Sequence, residues 1–172
     1  MAEMIRWLDR RFAYEPAAGE FPAIVERLRG APVRMEEKAA RISESTRVRK
    51  RGEDWSIQEH LGHLGDIESL WARRVEEFLT GSTGLSAADM SNRATYERNH
   101  NERSIAAIVA EFRVSRGDLV QRLDGIKDSD VVRTLMHPRL KRPMRLVDMC
   151  FFFAEHDDHH LAIVTRLART LE

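Results

Sequence analysis

The sequence predicts an all-α protein, a four-helix bundle with a short extra helix near the N-terminus. Three observations carry this. Only nine glycines and five prolines punctuate 172 residues, so long stretches run without a breaker. The residues between them are rich in Ala, Leu, Glu, Arg and Lys, which lose least entropy in a helix. Apolar positions step by three or four, and no strand-like alternation exceeds about four residues. There is no internal repeat, and at roughly 100–200 residues per domain a single unit over 1–172 is expected.

The elements follow in order. Phe21 to Arg29 forms a short helix stopped by Gly30, and Pro32, suited to a first helical position, restarts the chain toward Ile42. Ser56-Ile57-Gln58-Glu59 has the spacing of a capping box, so a second helix starts at Ser56. Its apolar positions Ile57, Leu61, Leu64, Ile67, Trp71, Val75 and Phe78 continue until Gly81-Ser82-Thr83-Gly84. After a loop to about residue 91, a third helix is expected over about 95–123, with Ile105, Ile108, Phe112, Leu119 and Leu123 on its buried stripe and Gly125 closing it. Residues 127–143 hold two prolines and a basic cluster, and mostly irregular structure is expected there. A fourth helix covers about 145–170. Elements with one apolar face each are satisfied by turning those faces inward as a bundle.

Composition narrows the function. The 28 Lys and Arg balance 28 Asp and Glu, so no net field favours nucleic acid or anionic lipid, and neither is expected as a partner. One cysteine, Cys150, excludes an internal disulfide framework and a cysteine-based zinc site. No apolar run approaches the roughly 20 residues of a membrane span. The N-terminal MAEMIRWLDRRF lacks a secretory pattern, so a cytoplasmic protein with a small-molecule substrate is expected.

The strongest chemical signal is His156-Asp157-Asp158-His159-His160. Residues i and i+4 lie about 40° apart on a helix, so His156 and His160 share one face a turn apart. That face also carries Met149, Phe153, Val164, Leu167 and Leu171, whereas His159 falls to one side and Asp158 opposite. Two core histidines with ordinary hydrogen bonds are the plain alternative. A divalent cation held by both would remove the cost of burying unpartnered imidazoles. A third ligand is offered by the second helix, where His60 and His63 border the apolar stripe. Periodicity slightly prefers His60, while Gly62 and Gly65 leave room beside His63, and spacing leaves both open.

Trp55-Ser56-Ile57-Gln58-Glu59 with His63-Leu64, and residues 154–162 reading AEHDDHHLA, resemble the DinB/YfiT-like family over most of the chain. Members are four-helix bundles viewed as metal-dependent enzymes and, despite the name, are not DNA polymerases. The resemblance implies one histidine ligand eight residues after the tryptophan and an H-x-x-x-H pair in the last helix, here His63, His156 and His160. Residues 88–93 and 99–101 look like one subgroup of that family. Three imidazoles leave a position open, as in catalytic zinc sites. Zinc or nickel is expected, because imidazole ligands alone do not separate them. By resemblance the leading activity is a transferase using a low-molecular-weight thiol such as bacillithiol or mycothiol, with metal-dependent hydrolysis second and a homodimer as the assembly. The alternative is a non-catalytic metal-binding or dimeric scaffold bundle, suggested by Val147, Phe151 and Leu161 outside the sector that holds the histidines.

Other residues receive plainer readings. Asp157 occupies the place of the glutamate in H-E-x-x-H, but its shorter side chain and an antiparallel bundle argue against a zincin. A solvated or partner-paired helix carboxylate is favoured over an outer acceptor for a ligand histidine. Glu97-Arg98-Asn99-His100 fits half a di-iron motif without its second copy, so His100 is expected to be polar lining or surface. Arg139, Lys141, Arg142 and Arg145 are expected to be solvated rather than to attract the carboxylates of a thiol cofactor. Cys150, in a phenylalanine-rich run, is expected to be inert core, and Trp7, Trp55 and Trp71 to be packing residues.

Overall fold

A computed structural model describes residues 4–13 and 15–171. The helices are α1 (Phe21–Arg29), α2 (Ala31–Ala40), α3 (Glu44–Arg47), α4 (Ile57–Asp66), α5 (Glu68–Thr80), α6 (Arg93–Glu97), α7 (Ile105–Asp124), α8 (Asp128–Val131) and α9 (Leu146–Leu171). A hairpin of β1 (Thr134–His137) and β2 (Arg142–Arg145) precedes α9. Four rods make the bundle: α1 with α2, α4 with α5, α7, and α9. The last touches both members of the first two rods. No helix among the described residues is long and apolar enough to cross a membrane.

Local chemistry sets the rods. At the start of α4 the Ser56 hydroxyl accepts the Glu59 amide at 3.1 Å and the Glu59 carboxylate accepts the Ser56 amide at 2.7 Å, completing the capping box. Pro22 and Pro32 sit in the first turns of α1 and α2. Gly81, at φ 74°, closes α5 in the left-handed conformation that side chains resist.

Three expectations are corrected. The second helix is interrupted at Ile67, whose carbonyl accepts from both Leu70 and Trp71. One tightened turn of this kind barely rotates the apolar face, so the stepping of Leu64, Ile67 and Trp71 runs through it unmarked. The third helix starts at Ile105 rather than near Thr95, because Asn99 adopts φ 45° and breaks the chain after α6. Residues 127–143 are more regular than expected, with α8 and an antiparallel hairpin pairing Thr134 with Arg145 and His137 with Arg142. Pro143 is tolerated because a two-stranded ribbon has only edge strands.

Two apolar clusters fill the bundle. One joins Leu28, Trp71, Val75, Leu119 and Phe153, and the other Met35, Leu61, Leu64, Phe112 and Val164. Along three of the rods a charged residue lies between them: Glu68, Arg116 and Asp157, each almost fully buried. Arg116 donates to Glu68 at 2.6 and 3.0 Å and to Asp157 at 2.5 and 3.2 Å, so the layer is a closed ion triad. Of the apolar residues read as a scaffold surface, Val147 and Leu161 are buried within the chain, and Phe151 stays half-buried beside the Arg27 guanidinium. Cys150 is fully buried and burial pushes its thiol pKa upward, as expected of inert core.

Gly62 allows the loop before α7 to close onto α4, since a Cβ there would lie 2.3 Å from the His100 ring. Gly62→Ala is therefore expected to destabilise the fold by about 1–3 kcal/mol. Urea denaturation with an unchanged slope checks this, and a midpoint equal to wild type would refute the close approach.

Candidate metal centre

His63 reaches the centre from α4, and His156 and His160 from successive turns of α9. Gln58 fixes the approach of α4 by donating to the carbonyls of His100 at 2.6 Å and Arg103 at 2.9 Å. One potential ligand atom from each of His63, His156 and His160 lies within 4.8 Å of the others. Ring centroids are 5.3 Å apart for His63 and His156, 4.8 Å for His63 and His160, and 4.6 Å for His156 and His160. All three side chains are buried. Trp7 meets His156 edge-on at 5.0 Å and Trp55 leans on His63 at 4.8 Å, so these tryptophans wall the centre as well as packing.

His60 and His63 take different places. His60 sits behind the cluster, its Nδ1 3.0 Å from Nδ1 of His160. His63 is in the cluster, its Nδ1 3.0 Å from the Thr95 hydroxyl. Each contact engages Nδ1 and leaves Nε2 of His63 and His160 for another partner. His156 keeps a buried Nδ1 with no hydrogen-bond partner among the described residues. An inward cluster of three imidazoles, one holding an orphaned polar atom, suits a cation with nitrogen ligands better than a neutral filling.

The electrostatics agree. Burial lowers His63 to about 4, with nearby Asp66 opposing and His100 adding to the shift. His60 falls to about 3 through burial and then the charges of His63 and His159. His156 and His160 lie well below the ordinary value, again through burial first and neighbouring imidazoles second. Neutral rings are the form that ligates. Because the folded values lie below the unfolded 6.5, the unfolded chain takes up more protons between them, and stability is lost as pH falls through that window. The metal-free protein is expected to melt about 10 °C lower near pH 5 than near pH 7, since His60 and His63 alone each cost about 2 kcal/mol across that window and each kcal/mol moves the midpoint about 2–4 °C. A calorimetric midpoint unchanged across that range would contradict the buried neutral state.

Around the cluster, His159 lies to the side as expected, 5.6 Å from the His160 ring and 5.5 Å from Trp7. Asp157 is sealed against Arg116, which removes it both as a zincin-like base and as an acceptor for a ligand histidine. His100 is buried, its Nε2 2.8 Å from Asp66, which is also bonded by Thr95; a line of contacts thus runs from His63 through Thr95 and Asp66 to His100. Of the four basic residues near the hairpin, Arg145 is bound to Asp148 and the Pro16 carbonyl, and Arg142 to the Phe12 carbonyl. Arg139 and Lys141 instead line a cavity of about 470 Å³ into which the three histidines open.

That cavity has an aromatic wall of Trp7, Trp55, Trp71 and Phe152 and a polar side that includes Arg74 and His137. Sequence reasoning missed both polar residues. Arg74 carried a signal, a charged residue at an i+3 position between Trp71 and Phe78 on an apolar stripe. His137 carried none, because its place depends on the hairpin.

A family model described as the DinB superfamily matches residues 24–164. Among solved structures, YfiT from Bacillus subtilis superposes with a TM-score of 0.79 at 19% identity, covering 94% of this chain and 93% of that one. It is described as a probable metal-dependent hydrolase with an unusual four-helix bundle topology. No curated protein matches the chain.

Proposed function

The chain belongs to the DinB superfamily, and from that premise we propose that it is a metal-dependent enzyme in which His63, His156 and His160 hold one zinc or nickel ion beside a small-molecule cavity. The observation that carries this is the convergence of three buried, neutral imidazoles from two rods onto one point that opens to that cavity. Three protein ligands leave a position free, which distinguishes the centre from a closed structural site. When bound, such an ion acts as a Lewis acid and lowers the pKa of a small acidic ligand, water or thiol.

The surrounding residues favour a low-molecular-weight thiol as that ligand. A thiolate attacks without a protein base, and three carboxylates around the cluster are committed: Asp157 to Arg116, Asp66 to His100, and Asp89 to Ser91 and the Arg93 amide. Group transfer from such a thiol to an electrophile is thus the leading reaction. Hydrolysis is the second reading, favoured by the description of the Bacillus subtilis structure. Purified protein loaded with zinc or nickel, given a thiol and an electrophile, is expected to turn over with metal dependence. Ester or amide cleavage without thiol would favour hydrolysis, and failure of both would leave a non-catalytic bundle. The homodimer implied by the family resemblance is checked by sedimentation at several concentrations, a monomer throughout removing it.

His60 acts on this centre through His160. The 3.0 Å contact between the two Nδ1 atoms holds the His160 ring at one nitrogen and leaves Nε2 as the nitrogen that can ligate. His60→Ala is expected to weaken zinc affinity about 10–100-fold without abolishing it. Competition with a chromophoric chelator measures this, and an unchanged affinity would show that the contact does not orient the ligand.

A further inference from the structure

We infer that the cavity holds a second recognition point, formed by Arg74, His137 and Arg139, that takes the carboxylate of a molecule whose flat apolar body lies along Trp71 and Phe152. This deepens the reading above by naming a substrate class, and rests on it only in treating the cavity as the place of reaction.

The first observation is a buried cation without a counter-ion. Arg74 is 2% exposed; its Nε and Nη2 donate to the Ser86 carbonyl at 3.0 and 2.8 Å, and among the described residues Nη1 meets only the Met149 sulfur at 3.9 Å. Among the described residues no carboxylate lies within ion-pair distance of it. Glu77 is near enough to act on its charge, but both oxygens of Glu77 are engaged by the Ser86 amide and hydroxyl. The contrast with Arg116 is direct: that guanidinium is equally buried and has two carboxylates of its own. Removing a charge from water is costly unless it is paired, so Arg74 lacks a partner that the fold elsewhere supplies. Burial lowers its pKa to about 10, which still leaves it charged at neutral pH.

The second observation is independent. His137 is 2% exposed, and its Nδ1 accepts from the amides of Arg139 at 3.2 Å and Leu140 at 3.1 Å. Two donors at Nδ1 place the proton on Nε2, and that nitrogen is buried with no partner among the described residues. It is a donor waiting for an acceptor. Burial and then the charges of Arg74 and Arg139 keep the ring neutral, which also places those two cations close to it. All three residues line the cavity that the metal-centre histidines face.

A carboxylate answers both deficits at once, since it offers a negative charge to the guanidinium and an acceptor to the imidazole N–H. The apolar half of the ligand follows from the neighbours: the Arg74 guanidinium lies 5.5 Å from the Trp71 ring, and His137 meets Phe152 edge-on at 5.8 Å. Asp89, the acid on the cavity lining, is turned to its own loop and does not compete.

The test uses full-length protein stripped of metal, so that a carboxylate cannot report by binding an ion. Phenylacetate and its neutral counterpart phenylacetamide are titrated by calorimetry or ligand-observed NMR. Phenylacetate is expected to bind at least tenfold more tightly than the amide. Arg74→Met is expected to lose that preference, Arg74→Lys to retain part of it, and His137→Phe to weaken phenylacetate several-fold. Equal binding of the two compounds, no detectable binding of either, or an unchanged preference in Arg74→Met would overturn the inference. If Arg74→Met does not fold, the acid-to-amide comparison on the natural protein decides. Zinc stoichiometry measured separately keeps the two readings apart: intact zinc binding with no acid preference defeats only this inference, and acid preference without zinc binding defeats only the metal centre.

Discussion

His160→Ala is expected to reduce bound zinc from about one ion per chain to almost none, with affinity falling by about a hundredfold to a thousandfold. The size follows from the geometry. In the proposed centre His160 would be one of three nitrogen donors, and its Nδ1 is the one that meets His60, so its removal would delete a ligand and leave His60 without that contact. The helix should survive, because Leu161 and Val164 remain in the core next to it. Elemental analysis with far-UV circular dichroism reads both effects. His159→Ala is the control: it is adjacent and buried but lies outside the cluster, and should keep its metal. Equal metal content in the two variants would dismantle the proposed centre.

Arg116→Met is expected to cost about 3–5 kcal/mol of stability, the range found when one partner of a buried ion pair is removed. The substitution fits the volume but leaves Glu68 and Asp157 facing each other without a cation. Burial already raises both carboxyl pKa values, and Arg116 is the main group that opposes the rise, with Arg34 adding to it at Asp157. With Arg116 gone both should rise further, so the folded form binds more protons than the unfolded one. The variant should therefore gain stability as pH falls, opposite in sign to the histidine effect. Urea denaturation at two pH values checks the loss and its slope. Adding Glu68→Gln and Asp157→Asn should recover part of it, whereas a single variant as stable as wild type would show that the triad contributes nothing.

Much of the architecture was legible along the chain. The capping box at Ser56 and Glu59 marks the start of α4 because both of its hydrogen bonds lie within one turn. The 3.6-residue repeat places Met149, Phe153, His156, His160, Val164, Leu167 and Leu171 on one face of α9; the structure buries the first five and leaves Leu167 and Leu171 half-buried toward the helix end. Along the chain only family resemblance separates His63 from His60, since both border the same stripe and their difference depends on which side meets α9. The bend at Ile67 escaped because it keeps the apolar register. The break at Asn99 and the hairpin escaped because single left-handed residues and four-residue strands leave too short a pattern to detect.

The sequence by itself determined the helices, their caps and the face carrying His156 and His160, since these depend on interactions within a turn or two. Tertiary packing decided the rest: Asp157 paired to Arg116 instead of standing near a ligand, His60 placed behind His160, and Arg74 and His137 brought from separate elements to one cavity wall. Those arrangements come from contacts between rods distant in sequence, where orientation and close approach are set by how whole faces interlock, and no local periodicity encodes them.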